Sequence, residues 1–218
     1  MTGSNASITS LAAGIGKILA PDTRLAITTH VRPDGDAIGS ALGLYHLLQS
    51  RQFKAQIVGL EKLPQRYAWL DDAIDAISPD STKPQNFDAL IVLDTGSIDR
   101  APEFVQQWQG LIPIVNIDHH PTNTLFGDEN YVISEASAVA EILTRMAVEA
   151  HWEISPQAAT ALWVGITTDS GRFAYSCTSP ATLQAAAELL KAGIDTPTID
   201  QRVFQNISPG ALRLQAMA

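Results

Sequence analysis

The 218-residue chain has a single cysteine, Cys177, so an intramolecular disulfide is excluded and a reducing, cytoplasmic compartment is the expectation. Positive charge is also scarce: 14 Lys and Arg stand against 23 Asp and Glu, for a formal net charge of -9. That balance argues against a broad basic stripe for gripping long nucleic acid. It leaves small phosphate compounds open as substrates, because bound divalent cations can supply the missing positive charge. No stretch approaches the roughly 18 consecutive apolar residues of a membrane helix, so no membrane partner is expected. The opening MTGSNASITSLAAGIGKILA lacks the basic start and continuous apolar core of a signal peptide. There is no internal repeat and no low-complexity tract. What is present is a 45% apolar composition, which fits a folded globular chain.

The apolar pattern changes period along the chain. RLAITTH (24–30), KAQIVGL (54–60), DALIVLD (88–94) and LIPIVNIDHH (111–120) are short apolar or β-branched runs that read as strands. The third is almost continuously apolar, as a central parallel strand buried on both faces would be. Helical spacing marks 8–19, 37–50, a short helix within 67–77, 102–108, a long helix from the serines at 134–137 to Trp152, 156–171, 179–194 and 196–207. The serines at 134–137 are available as N-caps of the long helix, and Ser179 and Gly193 are the start and stop of the one that follows. Residues 78–86, with two prolines, read as a polar loop. Strands alternating with helices predict an α/β fold: a mostly parallel β-sheet with helices on both faces.

In such sheets ligands bind beyond the carboxyl ends of the strands. Three of the runs stop where ligand-type residues begin: His30-Val-Arg-Pro-Asp34-Gly-Asp36, then Asp94, then Asp118-His119-His120. A parallel sheet would bring these tips to one edge. Each has a plainer reading. Pro-Asp-Gly-Asp is good turn chemistry with a helix N-cap, Asp94 can cap a following helix, and two adjacent histidines on an extended chain point to opposite sides. The coincidence of all three tips favours a metal site. Imidazoles and an excess of carboxylates suit Mn2+ or Mg2+, with other divalent cations open. The number of ligands exceeds what one ion needs, which points to two ions about 3.5–4 Å apart sharing a carboxylate and a water.

The motifs His30-x-x-Pro-Asp34-Gly-Asp36-Ala-Ile-Gly-Ser40, Asp94, Asp118-His119-His120-Pro and Gly165-Ile-Thr-Thr-Asp169-Ser-Gly-Arg172-Phe, in this order, resemble the DHH phosphoesterases. Within them the chain looks most like the RecJ-like group that includes nano-RNase/pAp phosphatase enzymes. The resemblance spans about residues 20–207 and implies roles position by position. His30 and Asp34 would hold one Mn2+, and Asp36, His119 and Asp169 the other. Asp94 would bridge the two ions. His120 would touch the scissile phosphate, and Asp118 would orient an imidazole. Asp169 enters through the resemblance alone, since it follows a helix. Ser40, near a helix N-terminus, is a candidate phosphate donor or a small packing residue. Arg172 is a candidate phosphate contact or a surface ion pair.

The implied activity is Mn-dependent hydrolysis of phosphodiester or phosphomonoester bonds in short oligoribonucleotides or nucleotides such as 3'-phosphoadenosine 5'-phosphate (pAp) and pApA. A homodimer is compatible with it. The alternatives are pyrophosphatase or exopolyphosphatase activity on the same metal core, and a non-catalytic binding module. Relatives of this type carry a C-terminal domain with a glycine-rich GGGH-like motif, which this sequence lacks. The expectation is therefore a catalytic domain over 1–207 and, over 208–218, the start of a linker to a DHH-associated domain absent from this chain.

Overall fold

A computed structural model describes residues 6–20, 22–60, 62–70, 77–78, 83–206 and Arg213. Six strands form one sheet in the order β3-β2-β1-β4-β5-β6: β1 (Arg24–Thr29), β2 (Lys54–Val58), β3 (Ile77–Ser78), β4 (Ala89–Leu93), β5 (Ile114–Asp118) and β6 (Glu129–Val132). Every pairing is parallel; for example Ile27 lies opposite Ile57 on one side and Ile91 on the other. The α-helices are α1 (Ile8–Ile18), α2 (Gly35–Ser50), α3 (Glu103–Trp108), α4 (Val139–Glu149), α5 (Pro156–Asp169), α6 (Pro180–Lys191) and α7 (Thr196–Asp200), and a π-turn over Gln201–Gln205 continues α7.

The central strand β4 is buried at all five positions, as its unbroken apolar run requires. Alternate side chains serve opposite faces. Leu25, Ile27, Ile91 and Leu93 join the larger core under α1, α2, α4, α5 and α6. Ala26, Leu90 and Val92 face a smaller core closed by Val105 and Trp108 of α3 together with Phe87. The expected α/β class with helices on both faces is therefore what forms. Chain order runs outward from β1 through β2 to β3 in one direction, and from β4 through β5 to β6 in the other. The crevice between β1 and β4 is the topological switch point, where such sheets leave room for a ligand.

Several expectations shift. Residues 71–76 of the helix expected over 67–77 lie outside the described residues; 65–69 form turns, and 77–78 pair as β3 rather than continuing a helix or starting a loop. β6 was not expected: ENYV is short and mostly half-exposed, so it carries no core-strand signature. The long helix begins at Val139, after Ala138 as N-cap, and none of the serines at 134–137 caps it. Its cap comes from another element. Asp36 of α2 accepts from the Val139 and Ala140 amides at 2.6 and 3.0 Å, which satisfies amides that the helix itself leaves unpaired. Ser179 caps α6 through a reciprocal capping box with Thr182, and Gly193 follows that helix at φ +78°, both as expected. Apart from Arg213, the expected linker over 208–218 lies outside the described residues. Among the described residues no helix is long and apolar enough to cross a membrane.

Candidate metal centre

His30 follows β1, Asp94 follows β4, and Asp118 is the last residue of β5, with His119 and His120 directly after it. The parallel register places these three tips side by side. Asp34 and Asp36 come from the start of α2, and Asp169 from the end of α5. Helices α2 and α5 approach closely because both are glycine at the crossing. A methyl on Gly39 would lie 2.4 Å from the Ala161 carbonyl oxygen and 2.7 Å from the Gly165 amide nitrogen. That approach delivers Asp169 to the sheet edge. A carboxylate at a helix C-terminus opposes the helix dipole, so its position there needs another cause.

Two triads result. His30 Nε2 lies 3.8 Å from Asp34 Oδ2 and 3.5 Å from Asp94 Oδ2. His119 Nε2 lies 3.5 Å from both Asp94 Oδ1 and Asp169 Oδ2. In the second triad one ligand atom each from Asp36, His119 and Asp169 fall within 4.8 Å of one another. Asp94 belongs to both sides, one oxygen toward each histidine. These separations are too long for hydrogen bonds. The three 3.5 Å separations match the spacing of neighbouring ligands around one ion, about 3.0–3.5 Å for metal–ligand bonds near 2.1 Å, and the 3.8 Å one is slightly longer.

Both histidines are oriented from behind. His30 Nδ1 lies 2.9 Å from the Val31 carbonyl and His119 Nδ1 3.3 Å from the Ala136 carbonyl. A carbonyl only accepts, so each Nδ1 carries a proton, and each Nε2 faces the carboxylates and can offer a lone pair once its own proton is lost. Asp34 combines the two roles weighed for it. Its Oδ1 accepts from the Asp36 and Ala37 amides as the α2 N-cap, while its Oδ2 faces His30. Asp36 is fully buried, and three donors (Ser40 Oγ, Val139 N, Ala140 N) use three of about four acceptor positions on its carboxylate.

Electrostatics agree with the geometry. Burial raises the Asp36 carboxyl well above its ordinary range, and the charges of Asp94 and Asp169 raise it further. Burial, with the charges of Asp94 and Asp34, pushes Asp169 up to about 7. Burial alone would depress the imidazoles, but the carboxylates around them outweigh it, and His30 and His119 both rise to about 10. Oδ1 of Asp94, itself 2% exposed, is a buried oxygen with no hydrogen-bond partner. Its residue also sits at φ +52°, a strained conformation for a side chain other than glycine. Repelling carboxylates, an orphan oxygen and two aimed imidazoles fit divalent cations, whose charge would hold all of these carboxylates ionised.

His120 borders the same cluster: its Nδ1 lies 3.7 Å from Asp94 Oδ1, and Asp94, His119 and His120 also offer ligand atoms within 4.8 Å of one another. Its Nδ1 donates to Asp118 Oδ1 at 2.7 Å, which leaves Nε2 for a ligand. The Asp118 bond and charge raise the His120 pKa. Asp118 is fully buried; burial works against its charge, but the bonds from His120 and Asn123 hold its carboxyl below the ordinary range. Asn123 donates at 2.6 Å to Asp118 Oδ2 and also reaches Asn116 Oδ1 at 2.8 Å. The sequence reading missed Asn123; its only signal there is a Pro-Thr-Asn turn after the histidines.

Two expected substrate contacts lie elsewhere. Ser40 is fully buried and donates to Asp36 Oδ1 at 3.0 Å, so it steadies that carboxylate and presents no donor to a phosphate. Arg172 pairs through Nε with Asp200 Oδ1 at 3.1 Å and lies over the Phe204 ring, which is the surface ion-pair reading.

A parallel α/β sheet with a carboxylate and imidazole cluster at its switch point defines a protein with the site chemistry of a divalent-metal centre. The particular family follows from comparison with known sequences. A profile described as DHH family, N-terminal domain, matches residues 24–166, and the chain belongs to that family. The match ends before Asp169. A Streptococcus mutans protein described as a probable bifunctional oligoribonuclease and PAP phosphatase NrnA is 35% identical, over 83% of this chain and 56% of its own length. A Thermus thermophilus protein described as a bifunctional oligoribonuclease and PAP phosphatase NrnA is 34% identical, over 81% of this chain and 52% of its own. The chain thus spans about half the length of the curated relatives it matches. The crystal structure of an exopolyphosphatase-related protein from Bacteroides fragilis superposes with a TM-score of 0.87 at 26% identity, covering 100% of this chain and 66% of that one.

Proposed function

We propose that this chain carries the hydrolytic centre of a metal-dependent phosphoesterase acting on short oligoribonucleotides and on nucleotides such as pAp and pApA. The observation that supports it best is Asp94, strained and buried, with one oxygen toward each of the two imidazoles. Relatives described as oligoribonuclease and PAP phosphatase favour the nucleotide substrates. His30 and Asp34 would hold one ion, Asp36, His119 and Asp169 the second, with Asp94 shared. Four carboxylates and two imidazoles without a thiolate suit Mn2+. Two such ions, when bound, lower the pKa of a bound water and take up charge on phosphoryl oxygens. The residues of the chain do the rest. Asp118 keeps the His120 proton on Nδ1, or fixes the imidazolium, and His120 Nε2 is placed to stabilise phosphoryl charge or to hand a proton to the leaving oxygen.

A substrate panel with Mn2+ tests the proposal: pAp, pApA, short RNA, pyrophosphate and polyphosphate. Hydrolysis of the first three is the expected outcome. Turnover of pyrophosphate or polyphosphate alone would overturn it in favour of the alternative, and a wild-type protein that binds no divalent ion would leave only a binding module.

A further inference from the structure

Glu141 is a fully buried carboxylate in the first turn of α4, outside both triads. A buried charge is costly unless it is paired and hydrogen-bonded, and Glu141 is both. Its Oε2 accepts from the Ser137 amide at 2.9 Å, the Ser137 hydroxyl at 2.9 Å and the Thr182 hydroxyl at 2.8 Å. Its Oε1 accepts from Arg145 Nη1 at 3.0 Å.

The groups it fixes lie directly behind one triad. The segment pinned through Ser137 is the one whose Ala136 carbonyl faces His119 Nδ1 and whose Val139 and Ala140 amides hold Asp36. Thr182 stands in the first turn of α6, at the far end of the loop that leaves Asp169. Two members of the Asp36, His119 and Asp169 triad, Asp36 and His119, are therefore held by the segment that Glu141 pins. The other triad is not. His30 leans on the Val31 carbonyl, and Asp34 on the amides of its own helix.

Resting on the metal reading above, we infer that Glu141 is a positioning residue for one of the two cation sites, setting the geometry at Asp36 and His119 without touching ion or substrate. Groups that orient metal ligands change affinity by about 10–100-fold when removed. The inference thus separates the two sites, which a merely structural carboxylate would not.

Mn2+ titration of the full chain by calorimetry, with wild type, Glu141→Gln, Glu141→Ala and Leu143→Ala, tests this. Leu143 is buried in the core beneath the same helix and reports on general loosening of α4. In Glu141→Ala one of the two equivalents of Mn2+ is expected to lose about tenfold or more in affinity while the other is unchanged, with Glu141→Gln in between. Leu143→Ala is expected to melt earlier yet keep both affinities. A second readout needs no metal: in nitrogen-15 imidazole spectra of the metal-free protein, the His119 resonances move in Glu141→Ala while those of His30 stay. Equal loss at both sites, no loss at either, or an unmoved His119 overturns the inference. If wild type binds no Mn2+, the metal reading fails, and the imidazole spectra alone then decide whether Glu141 holds His119.

Discussion

Oδ1 of Asp94 faces Nε2 of His119 at 3.5 Å, and neither atom completes a hydrogen bond with the other. The opposite oxygen stands in the same relation to His30. A buried carboxylate at φ +52° that leaves an oxygen unpaired is a poor choice for stability. Replacement by asparagine keeps a residue that tolerates the left-handed region but removes the charge that faces both imidazoliums, so the melting temperature of metal-free protein should fall. The same Asp94→Asn change should abolish the shared position, and phosphoesterase activity should fall by more than about a hundredfold, beyond the range seen for groups that only orient ligands. Thermal melts with and without Mn2+, beside a rate assay, check both halves. An unchanged or raised melting temperature would show that Asp94 does not stabilise the two imidazoliums in the metal-free protein.

Metal binding should expel protons. With folded pKa values of about 10, His30 and His119 are protonated in the metal-free protein at neutral pH, whereas a ligating imidazole must be neutral. Asp169, near 7, is still partly protonated there. Apparent affinity should rise with pH from about 6 to about 9, and more than one proton should be released per protein at pH 7. Calorimetry in buffers of different ionisation enthalpy counts them. A pH-independent affinity would contradict the electrostatics of the site.

Five of the six proposed ligands were legible as polar stops at the ends of apolar runs, because in a parallel sheet the end of a buried strand is also the edge of the sheet. Asp169 was not legible in that way, because it closes a helix, and only the packing of α2 on α5 brings it across. The start of α4 was misplaced for a related reason. Its cap is Asp36, 103 residues away from Val139 in sequence, whereas cap rules look to near neighbours. Ser40 read as a candidate phosphate donor or a small packing residue, and Glu141 drew no reading at all; their burial depends on how α2, α4 and α6 meet, which local pattern does not encode.

The α2–α5 crossing offers a test remote from the chemistry. Gly39→Ala would drive a methyl group into backbone atoms of Ala161 and Gly165, which cannot turn aside as a side chain can. Overpacking of this kind costs about 1–3 kcal/mol. It should also move Asp169 relative to Asp36, so the loss of Mn2+ affinity should exceed that of a core variant outside the crossing and of similar stability, such as Leu11→Ala in α1. Urea midpoints beside Mn2+ titrations separate the two effects. Equal affinity losses would mean that the crossing supports only the fold.

The bond between Asp118 and His120 makes the sharpest separation between binding and chemistry. Asp118 touches neither triad closely enough to be one of its members, and its oxygens are taken by His120 and Asn123. Asp118→Asn keeps the shape but can present an amide NH2 to Nδ1, which favours the tautomer with its proton on Nε2 and lowers the His120 pKa. Proton transfer by a positioned group contributes about 10²–10⁴-fold. The turnover number should fall by some part of that, while Mn2+ stoichiometry and KM stay close to wild type. The sign of the pH effect also follows. The acidic partner raises His120 in wild type, so the alkaline limb of the rate profile, where His120 loses its proton, should shift to lower pH in the variant. Asn123→Ala, which strips one donor from Asp118 and leaves the carboxylate in place, should move that limb the other way, because a less stabilised carboxylate is a stronger acceptor for the His120 proton. Limbs that shift together in the two variants would show that His120 is not the titrating group.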